Sequence, residues 1–239
     1  MQITTKTIVI SSIKYSEADL IVKCFTQSAG LKSYLLRNIL KSKKGKMRTS
    51  LFQPLTFLEI TANHKDKGTL EYIQEAKVYY THQSLHTHIV KTSLVLFLSE
   101  ILKHVIQEEE KNESLYNFLE NSLQWLDINS NIANFHLLFL LQLTDFLGFY
   151  PDESTIELPV FNALEGFFQK ESTNVYCIKI PNNSGVKQLF GIKFDELVAI
   201  KLTKKERSEC LNILLVYYEL HIQGFKKPKS LEVLNQLFN

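Results

Sequence analysis

Glycine and proline are scarce in this 239-residue chain, at 8 and 5 residues, against a usual combined share of about 12%. So small a supply of turn residues argues against a loop-rich sandwich or a glycine-rich phosphate cradle and favours long helices. Cysteine is equally sparse. Cys24, Cys177 and Cys210 are odd in number and far apart, which excludes a disulfide framework and a CxxC metal pair and suits a reducing cytoplasm. Long apolar runs are missing too: Phe135 to Leu147 is interrupted by His136, Gln142 and Asp145 and falls short of the ~20 residues of a membrane span. Near the start, Ile8-Val9-Ile10 is followed too soon by Lys14, Glu17 and Asp19 for a signal-peptide core, so no export is expected. There is no GxGxxG, Walker loop, GxSxG or Cys/His nucleophile arrangement, so no enzyme is predicted.

What remains is an ordinary globular composition, 45% apolar and 22% charged, with a length that suits one to two domains. The formal net charge is +2, but residues 1–80 hold 13 Lys and Arg against 6 acids, while 81–239 hold 14 against 19. Acids are absent between Leu20 and Leu58, where Lys23, Lys32, Arg37, Lys41, Lys43, Lys44, Lys46 and Arg48 all fall. A bland total therefore hides a basic first third.

The hydrophobic period changes at the same place. Short strand-like runs occur at Thr5–Ile13, Leu20–Thr26, Leu31–Leu36, Leu55–Ala62 and Leu70–Tyr80, with turn residues such as Ala29-Gly30 and Asp66-Lys67-Gly68 between several of them. In the last run the even positions are mostly apolar and the odd ones charged. Five short strands with no room for crossover helices predict a small antiparallel barrel of the OB type over residues 1–80. From 81 to 239 the pattern is helical: Ile89–Gln107, Glu113–Ile128, Ile132–Leu147 stopped by Gly148 and Pro151, a helix opened by the Thr203/Glu206 capping box and running through His221, and Ser230–Phe238. An irregular insertion is expected at about 151–193, with one strand within Val175–Ile180. The fold class is α+β, an N-terminal five-stranded OB-like β-barrel followed by a mainly α-helical domain.

Chemistry points to one segment. Arg37–Arg48 places six cations in twelve residues between the third and fourth strands, where a loop leaves the barrel and can neutralise phosphates. Lys23 and Lys32 extend that charge, and Tyr34, Phe52 and Phe57 offer faces for stacking unpaired bases. His82, His86 and His88 lack accompanying ligands and read as a connector, with no metal expected. His136 and Asp145, nine positions apart, read as satisfied core polar groups rather than an acid/base pair. Lys226, Lys227 and Lys229 either extend an anion-binding surface or cap the preceding helix; the cap is favoured.

Six strings in register also carry a resemblance: Phe25 to Leu31, Arg37 to Arg48, Leu51-Phe52-Gln53-Pro54-Leu55, Phe118 to Leu123, Leu147-Gly148-Phe149-Tyr150-Pro151 and Lys229 to Leu234. Together they resemble the RecO family of bacterial recombination mediators and DNA repair proteins across nearly the whole chain. The resemblance implies a cytoplasmic, nucleoid-associated protein without enzymatic activity or membrane attachment that binds single- and double-stranded DNA and anneals complementary strands. It further implies partners: RecR, the acidic C-terminal tail of single-stranded DNA-binding protein, and, indirectly, RecA, which it helps load. The DNA-contact role falls on Arg37, Lys41, Lys43, Lys44, Lys46 and Arg48. Two departures stand out. Many members hold zinc through four cysteines after the LGxxP string, whereas residues 151–193 contain only Cys177; no cofactor is expected, and Phe161, Leu164, Phe167 and Phe168 are expected to pack that segment instead. Asn38 stands where many members have glycine. The alternative, a non-enzymatic helical adaptor whose basic loop meets an acidic protein partner, differs in predicting no salt-sensitive DNA binding.

Overall fold

The computed structural model describes residues 1–41, 47–64, 70–107 and 110–238 and divides them between two compact units, Met1–Ile128 and Asn129–Asn239. The first unit begins with strands β1 (Gln2–Lys14), β2 (Leu20–Thr26), β3 (Gly30–Leu36), β4 (Phe57–Asn63) and β5 (Tyr72–Tyr80), ordered β3-β2-β1-β4-β5 with antiparallel neighbours. The edges meet: the Leu35 N–H donates to the Glu71 carbonyl at 2.9 Å and the Glu71 N–H to the Ser33 carbonyl at 2.8 Å, a parallel bridge that closes the five strands into a barrel. Strand β1 serves both neighbours because its first half pairs with β4 and its second with β2, and a register shift between Val9 and Ser11 lets it coil from one to the other. The barrel is OB-like, as the strand count predicted.

Alternation fills the interior with Val9, Val22, Cys24, Tyr34, Leu36, Phe52, Leu58, Ile60 and Ala62. In β5 the expected even face holds for only part of the strand. A register shift puts Ile73 opposite Ala62 but Glu75 opposite Thr61, so Ile73 enters the core and Tyr72 turns outward. Ile8, Ile10 and Phe25 lie on the opposite side of the wall from Val9 and Cys24 yet are also sealed from solvent. Helices α1 (Ile89–Val105) and α2 (Glu113–Ile128) account for this: α1 packs on β1, and the Phe25 ring lies 6.1 Å from that of Tyr116 on α2. Secondary structure therefore changes near residue 80, while the first compact unit runs on to Ile128.

The second unit contains α3 (Phe135–Phe146), the short strands β6 (Val160–Asn162), β7 (Phe167–Gln169) and β8 (Cys177–Lys179) in the order β7-β6-β8, then α4 (Lys204–His221) and α5 (Leu231–Phe238). Nine of the twelve α3 residues are buried, so most of this helix is wrapped, as its largely apolar character requires. Gly148 ends it with φ 81°, and the Phe149 N–H reaches back to the Thr144 carbonyl. Tyr218 and Tyr217 on α4 donate hydroxyl hydrogen bonds to the carbonyls of Leu140 and Phe149, at 2.8 and 2.7 Å. The Thr203/Glu206 capping box opens α4 as expected.

The insertion is partly regular. Phe161 and Phe168 pack at 5.0 Å and supply its small core, with Phe190 and Tyr217 adding ring contacts. Leu164 and Phe167 depart from expectation: both are exposed, because Leu164 sits in the β6–β7 turn and Phe167 pairs with Asn162 at its mouth, facing away from the side that Phe168 buries. Only Cys177–Lys179 of the expected 175–180 run is strand. Asp145 is likewise exposed rather than a core group, whereas His136 is buried and its pKa is pushed down to about 3 by burial.

Candidate nucleic-acid interface

The basic segment departs from the barrel at the end of β3, and its first residues are pinned. Asn38 adopts φ 57°, the left-handed conformation that glycine takes freely and asparagine tolerates best among the other residues, so its substitution for glycine keeps the turn. The Asn38 N–H donates to Asp19 Oδ1 at 2.7 Å, and the Leu40 N–H donates to the Ala18 carbonyl at 3.0 Å. That amide, then the Ser16 hydroxyl, and to a smaller degree Arg37 and Lys41 hold the Asp19 carboxyl below its ordinary range. Lys41 also lies 3.6 Å from Glu17, both exposed. The β1–β2 turn is therefore a fixed seat for Arg37–Lys41. Downstream, Arg48 is exposed and precedes a single 3-10 turn, Thr49–Phe52, whose Phe52 is driven into the barrel core while Met47 packs against it. Lys43, Lys44 and Lys46 lie outside the described residues.

The remaining expected contacts fare differently. Lys23 is paired with Ser33 and Lys32 with Cys24, one residue out of phase, so the two lysines leave opposite faces of the β2–β3 ribbon and form no single patch. Tyr34 is a correction. Its ring is wholly inside the barrel, its hydroxyl lies 2.8 Å from His64 Nε2, and burial raises its pKa far above the usual phenol range, so it cannot receive a base. Phe52 and Phe57 are sealed in the same way. Short alternating runs identify which residues face inward only when their register is known, and all three aromatics fall on inner or covered faces.

Two aromatic residues not expected at the site are exposed beside it: Tyr15 in the β1–β2 turn and Tyr72 at the start of β5. Tyr72 is engaged by Arg37, whose guanidinium carbon lies 5.1 Å from the ring centroid and whose Nη2 donates to the tyrosine hydroxyl at 2.9 Å. Nothing in the local sequence marks Tyr72, because the register shift in β5 decides its direction. A depression of about 440 Å³ on the β4–β5 wall is lined by Glu59 and Glu75 together with Lys77, which is committed to Glu59 at 2.6 Å. Its carboxylates make it a poor seat for phosphate.

The histidine run is structural. His82 Nε2 faces the Leu55 carbonyl at 3.2 Å and His86 Nε2 the Pro54 carbonyl at 2.9 Å, so each ring is used as a donor to backbone. Asp127, fully buried, accepts from the backbone N–H groups of Gln83, Ser84 and Leu85, each at 2.8 Å, and these bonds hold its carboxyl below the ordinary value despite burial. Among the described residues no group of three or more His, Cys, Asp or Glu is arranged to hold a metal, and no helix is long and apolar enough to cross a membrane. In the second unit, Lys227 pairs with Glu219 of α4 at 3.5 Å.

A closed OB-like barrel with exposed cations where the basic segment leaves its rim, followed by helices, defines an α+β protein with an OB-like N-terminal domain. The family model described as "Recombination protein O N terminal" matches residues 1–82, and "Recombination protein O C terminal" matches residues 86–155. Proteins named DNA repair protein RecO from Christiangramia forsetii, Flavobacterium psychrophilum and Flavobacterium johnsoniae are 55%, 50% and 49% identical to this chain, each over 100% of both sequences. The chain belongs to the RecO family of DNA repair proteins.

Proposed function

We propose that this chain is a non-enzymatic mediator of DNA repair and homologous recombination that binds single- and double-stranded DNA on the cationic rim of its barrel and anneals complementary strands. With RecR it assists RecA loading onto strands covered by single-stranded DNA-binding protein, whose acidic tail it engages, and it works in the cytoplasm at the nucleoid. The observation that carries this reading is the seating of Arg37–Lys41 on the β1–β2 turn, which projects exposed cations from a fixed backbone within an acid-free segment. Annealing needs no covalent step. Cations that neutralise phosphates reduce the repulsion between two strands, and base pairing then selects the partner.

The test is binding to a labelled single-stranded oligonucleotide across a salt series, comparing wild type with the Lys43→Glu/Lys44→Glu/Lys46→Glu variant. With about four phosphates neutralised, log affinity falls with log salt at a slope near −3, at ~0.7 per phosphate, and the variant binds weakly with a shallower slope. Wild type without salt-dependent binding would overturn the reading in favour of an adaptor whose loop meets an acidic protein.

A further inference from the structure

Most aromatic rings of the barrel are spent on packing: Tyr34, Phe25, Phe52 and Phe57 are all sealed. Tyr72 is different. It stands at the first position of β5, 36% exposed, directly after the Glu71 backbone bridge that closes the barrel on β3. Arg37 is the first residue beyond β3, so barrel closure brings together the first residue of the basic segment and the first of β5. Their contact is geometric as well as electrostatic: the guanidinium is within cation–π range of the ring, and one of its N–H groups is bonded to the hydroxyl.

An exposed tyrosine held in this manner gives a barrel little stability, since the pair stays solvated. It gives an unpaired base a good deal. The ring is oriented before a ligand arrives, which reduces the freedom lost on binding. The guanidinium lies over one side of the 36% exposed ring, so a base would stack from the other, and a guanidinium has further N–H donors for a neighbouring phosphate. Cations held by the Asn38–Asp19 seat continue from the same point.

We propose that Tyr72, backed by Arg37, is a base-stacking platform that lets the barrel distinguish single-stranded nucleic acid from duplex. This rests on the DNA-binding reading above and adds to it a residue, an interaction and a strand preference. Stacking requires a base that has left its helix, and it is indifferent to sequence because every base has a π face. Phosphate contacts supply the salt dependence; the Tyr72 ring supplies a salt-independent increment on single strands alone.

The experiment compares wild type, Tyr72→Ala, Tyr72→Phe and Arg37→Glu on three labelled ligands of equal charge per strand: an oligothymidylate, the same length with abasic sites throughout, and a duplex. Thermal unfolding of each variant serves as the folding control. Tyr72→Ala is expected to weaken oligothymidylate binding about tenfold with the salt slope unchanged, and to leave abasic and duplex binding unaltered. Tyr72→Phe is expected to retain most of the affinity, because the ring stacks without its hydroxyl. Arg37→Glu is expected to lower affinity for all three ligands and flatten the salt slope. Equal losses for Tyr72→Ala on oligothymidylate and abasic strands, or a flattened slope, would overturn the proposal and make Tyr72 a support for Arg37 only. Absence of wild-type binding to any of the three would instead remove the DNA-binding reading itself, an outcome distinguishable from failure of the platform.

Discussion

The two compact units solve the same burial problem with opposite materials. In the first, a barrel of short strands is closed by backbone hydrogen bonds, and half of its wall needs a second cover, which α1 and α2 provide. In the second, one helix, α3, is apolar nearly all round and the rest of the unit is wrapped on it. Charge follows this division of labour. Residues 1–80 carry the cationic excess, but residues 81–128 of the same compact unit hold 3 lysines against 7 acids, so the barrel sequence is basic and the segment that follows it acidic. A barrel wall keeps about half of its side chains outside, where charge costs little; the pinned rim carries two of those cations, Arg37 and Lys41. A helix buried on nearly every face has little such surface to offer.

The sharpest way to separate the units is to damage each at its tightest polar or steric point. Asp127→Ala removes the acceptor of three backbone N–H groups in the first unit, and buried donors left without a partner are expected to cost about 3 kcal/mol or more. In the second unit, Gly166 has φ 75°, and an added Cβ would lie 2.5 Å from the Tyr217 hydroxyl. That hydroxyl is held by the Phe149 carbonyl and has little room to retreat. Gly166→Ala is therefore expected to cost about 2 kcal/mol. Urea unfolding followed by hydrogen exchange should show the loss of protection centred on residues 83–85 for the first variant and on the insertion and α4 for the second. A uniform loss in both would mean that the two units unfold as one.

Acid should weaken both units through one buried histidine each. Burial holds His82 at about 4 and His136 at about 3, against an ordinary 6.5. Between 6.5 and those values the unfolded chain binds a proton that the folded chain refuses, so stability falls as pH falls, by roughly 1–2 kcal/mol per histidine at pH 5. Asp127 acts at lower pH and with the other logic: its carboxyl is held below 3.8, so its contribution is present above that value and is lost as pH falls through the folded one. Urea midpoints at pH 7, 6 and 5 should decline for wild type and decline less for His82→Gln and for His136→Gln. An unchanged pH slope in either variant would remove that histidine from the account.

The smallest effect concerns the rim. Asn38→Gly keeps the left-handed turn and is expected to change stability by only a few tenths of a kcal/mol, whereas Asn38→Ile cannot adopt φ 57° without strain of about 1 kcal/mol. The readout is the DNA salt slope as well as thermal unfolding: the isoleucine variant should displace Arg37 and Lys41 from their seat and flatten the slope, and the glycine variant should not.

Much of this architecture was legible along the chain. Strand alternation, the Thr203/Glu206 capping box and the Gly148 stop located five barrel strands and five helices, because these signals act through neighbours within a few residues. The acid-free run from Leu20 to Leu58 marked the basic segment for the same reason. Direction was not legible. Tyr34 and Tyr72 are both strand tyrosines near the basic segment, and only the register of each strand in the closed barrel sends the first inward against His64 and the second outward under Arg37. The extent of the first unit was equally hidden, since nothing between residues 80 and 128 announces that the outer wall at Ile8, Ile10 and Phe25 needs covering. Local sequence determined which elements form and where positive charge accumulates; the tertiary structure alone decided which aromatic meets solvent and which cation meets it, because a register shift of one residue reverses every side chain beyond it.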